Sequence, residues 1–168
     1  TTAQVRAFGM AFIDGLRRDQ FTAMTTPQIA AFTTAQVGAL DSADLGGLGT
    51  TQLQAFGTAS IASLSTEQLD ALSTAQVNAF TANQVAALTT DQLASFTSDD
   101  WQALSTTQFA ALTTGQLASI SDTLVPDLTT AQIVALTTAQ AHALTEAQIV
   151  ALTTEQVAAF ETADLAAM

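Results

Sequence analysis

Catalytic or metal-binding chemistry needs reactive side chains in clusters, and this sequence supplies almost none. It contains one histidine, His142, with no cysteine, tyrosine or lysine. A nucleophile–base pair or a zinc site needs partners that a lone imidazole does not have, so His142 reads as a surface side chain. No Gly-rich phosphate loop or nucleophile elbow occurs. The acids are strung out along the chain and form no calcium-loop pattern. The expectation is a non-enzyme with no catalytic, cofactor-binding or metal-ligating residues and no cofactor.

What the sequence does supply, at fixed spacing, is hydroxyl and amide chemistry. Residues 129–160 read TTAQIVAL, TTAQAHAL, TEAQIVAL, TTEQVAAF, four octapeptides without an insertion. The same phase holds from Thr1 to Met168, and the 168 residues divide into 21 octads. Position 1 is Thr or Ser in 15 of them, and position 4 is Gln in 15 and Asp at Asp44, Asp100 and Asp164. Positions 5 (Val5, Ile13, Phe21 through Leu165) and 8 (Phe8, Leu16, Met24 through Met168) are apolar throughout. Position 7 is Ala, Gly or Ser except at Asp127.

A long α-helix cannot carry this pattern, because eight residues overshoot two turns by about 80° and the apolar stripe would wander. In an extended strand, positions 5 and 8 would point to opposite faces. In a short helix they share one face. Thr/Ser at position 1 with Gln at position 4 is the capping-box spacing: the hydroxyl accepts from the amide three residues on, and the Gln side chain returns to the cap amide. Twelve of the fifteen acids sit at positions 1–4, at the positive end of such a helix. Pro27 falls in a first turn, where its missing N–H costs nothing. Gly9, Gly49 and Gly57 at position 1 suit a left-handed residue closing the preceding helix.

The expected fold is all-α: a solenoid of 21 short capped helices of six or seven residues, one per octad, burying positions 5 and 8. Helices this short need neighbours to be stable. A phenylalanine every 24 residues (Phe8, Phe32, Phe56, Phe80) hints at three octads per superhelical turn. A β-solenoid is the structural alternative, since Thr, Val and Ile favour strands.

Residues 1–168 form one repeat domain, a segment of a longer array or one filament subunit, with atypical units at 9–24 and 121–128. Residues 9–24 lose two caps and bring Met10, Phe12, Arg17 and Arg18. Arg6, Arg17 and Arg18 are the chain's three basic residues, and they give the first three octads a net charge of +1 against −13 for the rest. That end is read either as chance variation or as a basic surface for an acidic neighbour. Residues 121–128 place Leu124 where Gln belongs, Pro126 inside the helix and Asp127 at the small position. A kinked or unwound unit is expected there. Trp101 takes a core position, with its indole N–H expected near a polar group.

A net charge of −12 with 11% charged residues argues against nucleic acid and anionic membranes as partners. No apolar run approaches a membrane span. Val5 and Phe8 at one end, and Leu165 and Met168 at the other, keep the core pattern. Both ends should therefore expose apolar surface, and open solenoid ends invite end-to-end stacking.

The tract LTTAQIVALTTAQAHALTEAQIVALTTEQVAAFETADLAAM, and more loosely the rest of the chain, resembles the LTTxQ(I/V)xAL octapeptide tracts of large secreted or surface-exposed proteobacterial repeat proteins, which carry adhesin or haem-utilisation labels. The resemblance implies an extracellular or cell-surface repeat scaffold. The expected function is structural: a filament or adhesin stalk built by self-association, end to end or side by side. The alternative is a binding surface whose Thr rows engage glycan, another cell surface or ice.

Overall fold

The computed structural model describes residues 1–160, and each octad within that range contributes one short helix. There are nineteen α-helices and one 3-10 helix among the described residues, and no strand. The all-α solenoid is therefore the fold, and the β-solenoid alternative is not found in residues 1–160. Leu165 and Met168 lie outside the described residues.

The helices are shorter than six or seven residues in most units. They run from position 2 to position 6, as in Thr34–Gly38 and Thr130–Val134, five residues each. Position 1 is an N-cap with extended backbone, and the chain turns back to that conformation at every octad boundary. In Thr33–Leu40, Thr33 has φ −77° and ψ 159°, its side chain accepts from the Gln36 amide, and the Gln36 side chain accepts from the Thr33 amide. This reciprocal capping box recurs from Thr1–Gln4 to Thr153–Gln156. The helix is never long enough to leave its caps, so nearly every residue in it is held by a cap hydrogen bond or a core contact.

The glycines at position 1 do not act as predicted. Gly9, Gly49 and Gly57 have φ of −73°, −69° and −66° and stand as extended N-caps. No described glycine has positive φ. Helices here end in a right-handed turn at position 7 and hand directly to an extended residue, so no left-handed closure is needed. The glycine that a close approach does require is Gly46, where a Cβ would come within 2.9 Å of the Ala71 carbonyl oxygen three octads on.

Positions 5 and 8 form a continuous interior. Val37, Leu45, Leu53, Ile61 and Val85 have no exposed surface. Phe32, Phe56, Phe80 and Leu88 pack into the same cluster. The main helix-to-helix contacts join units three octads apart, such as Thr74–Asn78 with Ser98–Ala103 and Thr130–Val134 with Thr154–Ala159. Side-chain hydrogen bonds join units four octads apart, as detailed below. A superhelical turn thus holds between three and four octads rather than three, and the 24-residue spacing of phenylalanines does not set it.

Residues 121–128 differ from the other units, but by tightening rather than by the kink or unwinding expected. Asp122–Asp127 is a 3-10 helix with Pro126 inside it. The tighter helix tolerates the missing amide of proline because few of its residues need an i→i−4 partner. Trp101 is buried at 1% exposure, its ring 5.6 Å from that of Phe96 and inclined at 62°. Its Nε1, however, has no hydrogen-bond partner, against the expected polar neighbour.

Candidate functional site

The chemistry that repeats along the solenoid belongs to the position-4 glutamine, and it is twofold. Its Oε1 accepts from the cap amide of its own octad. Its Nε2 reaches back across one superhelical turn to the carbonyl of position 8 and to that of position 5 or, from Gln52 and Gln140, position 6, four octads earlier. Gln36 Nε2 donates to the Val5 and Phe8 carbonyls at 2.9 Å each. Gln68 donates to Val37 and Leu40 at 3.2 and 2.6 Å, and Gln92 to Ile61 and Leu64 at 3.0 and 2.7 Å. Gln132 reaches Trp101 and Leu104, Gln148 reaches Leu117 and Ile120, and Gln156 reaches Val125 and Leu128.

These side chains are buried, Gln36 at 2% and Gln156 at 1%. A buried amide is stable only when its donors and acceptor are engaged, and here they are. The acceptors matter equally. The last carbonyls of any helix lack an intrahelical partner, and position 8 ends each unit. One glutamine therefore closes the start of its own helix and the end of another, tying successive turns together. We call this the glutamine latch.

The capping half of the latch is legible in one octad. The inter-turn half was missed, because it joins residues 28 and 31 apart. A signal for it does exist. A capping box accepts Glu as readily as Gln, yet position 4 holds fifteen Gln and no Glu. A cap alone does not demand that exclusion, whereas a buried N–H donor does.

Four interior units lack the latch: Asp44, Ser60, Asp100 and Leu124 stand at position 4. Asp100 keeps the cap, accepting from the Thr97 amide and hydroxyl, but has no N–H for the turn behind it. Asp44 is 7% exposed. Burial, with the Asp41 carboxylate beside it, raises its pKa above the ordinary value, and Arg18 works the other way.

The basic end is partly compensated from within. Arg17 Nε lies 3.2 Å from Asp19 Oδ1, and that hydrogen bond holds the Asp19 carboxyl below its ordinary pKa. The Arg18 side chain covers Gly47, where a Cβ would collide with it. The solenoid edges differ from the interior. At the N-terminal edge, Val5 is buried but Met10 and Phe12 are 45% and 51% exposed, and Phe12 lies 4.2 Å from Phe8, ring to ring. A concavity of about 450 Å³ opens there between Val5, Phe8, Met24 and Gln28. Toward the other edge the core positions Ile149 and Val157 are 38% and 46% exposed. The expected apolar surface at the first end thus comes from Met10 and Phe12, with Phe8 half-buried, rather than from Val5.

His142 is on the surface at position 6, as its pattern position implies. Among the described residues no three His, Asp or Glu side chains come together in a way that could hold a metal ion. None of the described helices is long and apolar enough to cross a membrane.

A solenoid whose unit is an eight-residue capped helix, restarted in phase along the chain, defines the class: an octapeptide-repeat protein. The ALTTAQ repeat matches at residues 21–50, 37–73, 61–98 and 125–154, more than half of the chain, and the chain belongs to that repeat family. No curated protein and no solved structure matches it.

Proposed function

We propose that the chain is a structural scaffold of the cell exterior, which forms a filament or adhesin stalk by stacking its solenoid ends. The observation that carries this reading is the unspent bonding at the edges. Gln4, Gln20 and Gln28 engage their own caps through Oε1, while their Nε2 groups have no acceptor among the described residues. At the far side Ile149 and Val157 keep their core identity yet remain exposed. The bonding pattern of the interior is thus unfinished at both limits of the described residues, and further octads, of the same chain or of a second copy, would continue it. The Thr-rich surface, with few charges, suits a spacer better than a recognition domain for nucleic acid or membrane. Electron microscopy of the native material tests it: filaments whose width is one solenoid are expected, and dispersed single particles would refute it.

A second reading draws on the position-2 hydroxyls. Thr130, Thr138 and Thr154 are exposed and lie outside the caps that occupy the position-1 hydroxyls. Such rows could engage glycan, another cell surface or ice. Replacing all three with Ala should abolish binding if the rows recognise a ligand, and should leave filament formation unchanged in a scaffold.

A further inference from the structure

We infer that one flank of the solenoid, free of acids from turn to turn, is an interface on which a second copy of this chain docks side by side. The inference concerns the flank and holds whether or not the ends stack.

The acids carry a period that the octad does not have. Asp14, Asp41 and Glu67 are 27 and 26 residues apart, and Asp100, Asp127 and Glu155 are 27 and 28 apart. Residues 20–40, 45–66, 71–90, 101–121 and 128–145 hold no Asp, Glu, Lys or Arg. The structure gives this spacing its meaning. Ser42 Oγ donates to the Glu67 carbonyl and Gln54 Nε2 to the Ala79 carbonyl, each 25 residues on, while the latch of Gln36 spans 28 and 31. A superhelical turn lies between these limits, so side chains 27 apart return to the same side. Helix contacts agree. Arg18–Thr22 packs on Ser42–Gly46, that helix on Thr66–Asp70, and that on Thr90–Ala94; Ser98–Ala103 packs on Asp122–Asp127, and that on Glu146–Ala151. Among the described residues, every acid but Asp14 and Glu155 lies in or caps one of these helices.

Numbered by place in a 27-residue turn, the acids (fifteen less Glu161 and Asp164) all fall in places 10 to 20, and Arg6 is the one charge outside those places in residues 1–160. Half a turn away is a shallow concavity of about 520 Å³, lined by Ala82, Thr106, Thr107, Ala110, Ala111 and Ala135. These residues take places 25 to 3, opposite the acids. Val134, next to Ala135 in the chain, is 48% exposed.

Charge selects the occupant. Each chain carries −12, so two copies repel wherever their acids meet. Exposed charges interact over about 8 Å at physiological ionic strength. Contact through the acid-free flanks keeps the two acidic flanks apart by the thickness of both solenoids, well beyond that range. The core of a protein interface is depleted in charge. A standard interface takes about 800 Å² per partner, a small part of the chain's 7854 Å². Each chain has one such flank, so a two-fold pair uses it up and closes at a dimer. The exposed Val134 supplies a ridge for the partner's concavity. A filament made by stacking such pairs would be two solenoids wide.

Sedimentation equilibrium of the 168-residue chain over a concentration series tests this, with far-UV circular dichroism reporting the fold of each variant. The wild type should reach a dimer and stop. Thr107→Glu with Ala131→Glu adds two charges to the acid-free flank, at exposed sites of the octad position that holds Glu67 and Glu155. The dissociation constant should rise at least tenfold with unchanged helicity. Ala43→Glu with Ala147→Glu adds the same charges at the same octad position, also exposed, on the acidic flank. That variant should change the constant less than threefold. Equal weakening by both variants overturns the assignment of the flank, as does no weakening by the first. A folded wild type that stays monomeric overturns the pairing and leaves the acid-free flank to an outside ligand. Growth past two copies that both variants retain assigns association to the ends, which overturns the pairing and supports stacking.

Discussion

Residues 129–136 and residues 121–128 are consecutive octads that solve the same problem in opposite ways. In the first, Gln132 accepts from the Thr129 amide and donates to the Trp101 and Leu104 carbonyls. In the second, Leu124 takes the glutamine's place and packs against the core, Pro126 tightens the helix to 3-10, and no side-chain amide reaches the carbonyls of Leu93 and Phe96. One unit is fastened to its neighbour by a directional bond, the other by contact alone. Three octads before the unlatched unit lies Trp101, the largest core side chain, whose helix packs on it. The chain thus gives up a latch where bulk has to be accommodated. The lesson is that capping and fastening, fused in one glutamine, are separable requirements.

The most severe way to break the comparison is to convert a latched unit without changing its shape. Gln84→Glu keeps the cap acceptor but points a carboxylate at the Leu53 and Phe56 carbonyls, which Gln84 Nε2 now reaches at 3.0 and 2.8 Å. A buried, unpaired charge should cost about 3–5 kcal/mol at pH 7 in urea unfolding. The folded-state pKa of that Glu must lie above its unfolded value. The loss is therefore complete above the folded pKa and is relieved as pH falls toward the unfolded one. An equal loss at pH 7 and pH 3 would show that charge is not the cause.

Next in size is simple deletion. Gln132→Ala removes the cap acceptor and both inter-turn donors, and should cost about 2–4 kcal/mol. The same truncation at Leu124 removes packing and no hydrogen bond, so the pair of melts measures what direction adds to contact. Equal losses would mean that the latch contributes volume alone.

Asp44→Gln runs the comparison the other way. Its amide would face the Ile13 and Leu16 carbonyls, the acceptors 31 and 28 residues back, and should stabilise by about 1–2 kcal/mol. Because burial and Asp41 raise the Asp44 pKa in the folded state, wild-type stability from this group is greatest below its unfolded pKa and is lost as pH rises through the folded one. The gain should thus be larger at pH 7 than at pH 3. Smallest is Gly49→Thr, which adds a cap hydroxyl where φ is already −69°. A gain of about 0.5–1 kcal/mol is expected, and calorimetry can resolve it.

Much of this fold is legible octad by octad, because caps and core positions act over three or four residues. Thr129 with Gln132, and Ile133 with Leu136, already imply a short helix buried on one side. The number of octads per turn is not local. It depends on how closely helices three units apart can pack, and the recurrence of Phe8 and Phe32 does not encode that. The latch was hidden for the same reason, although the exclusion of Glu from position 4 marked it. The shorter helices have a simpler cause: the extended cap and the closing turn take three of every eight residues, leaving five. The orphan Nε1 of Trp101 has no counterpart in the pattern, because no other octad puts an indole at position 5.

The latch reaches back 28 and 31 residues, yet its bookkeeping unit is the octad. Removing or duplicating one whole octad leaves each latch glutamine facing carbonyls at the same octad positions, merely those of a different unit. Removing four residues would put each downstream glutamine opposite the wrong half of a helix. The molecule's length is therefore quantised. Unequal exchange between repeats in the coding sequence can lengthen or shorten the rod in steps of eight residues without a refolding problem. The number of turns can then change while the structure of each turn stays the same.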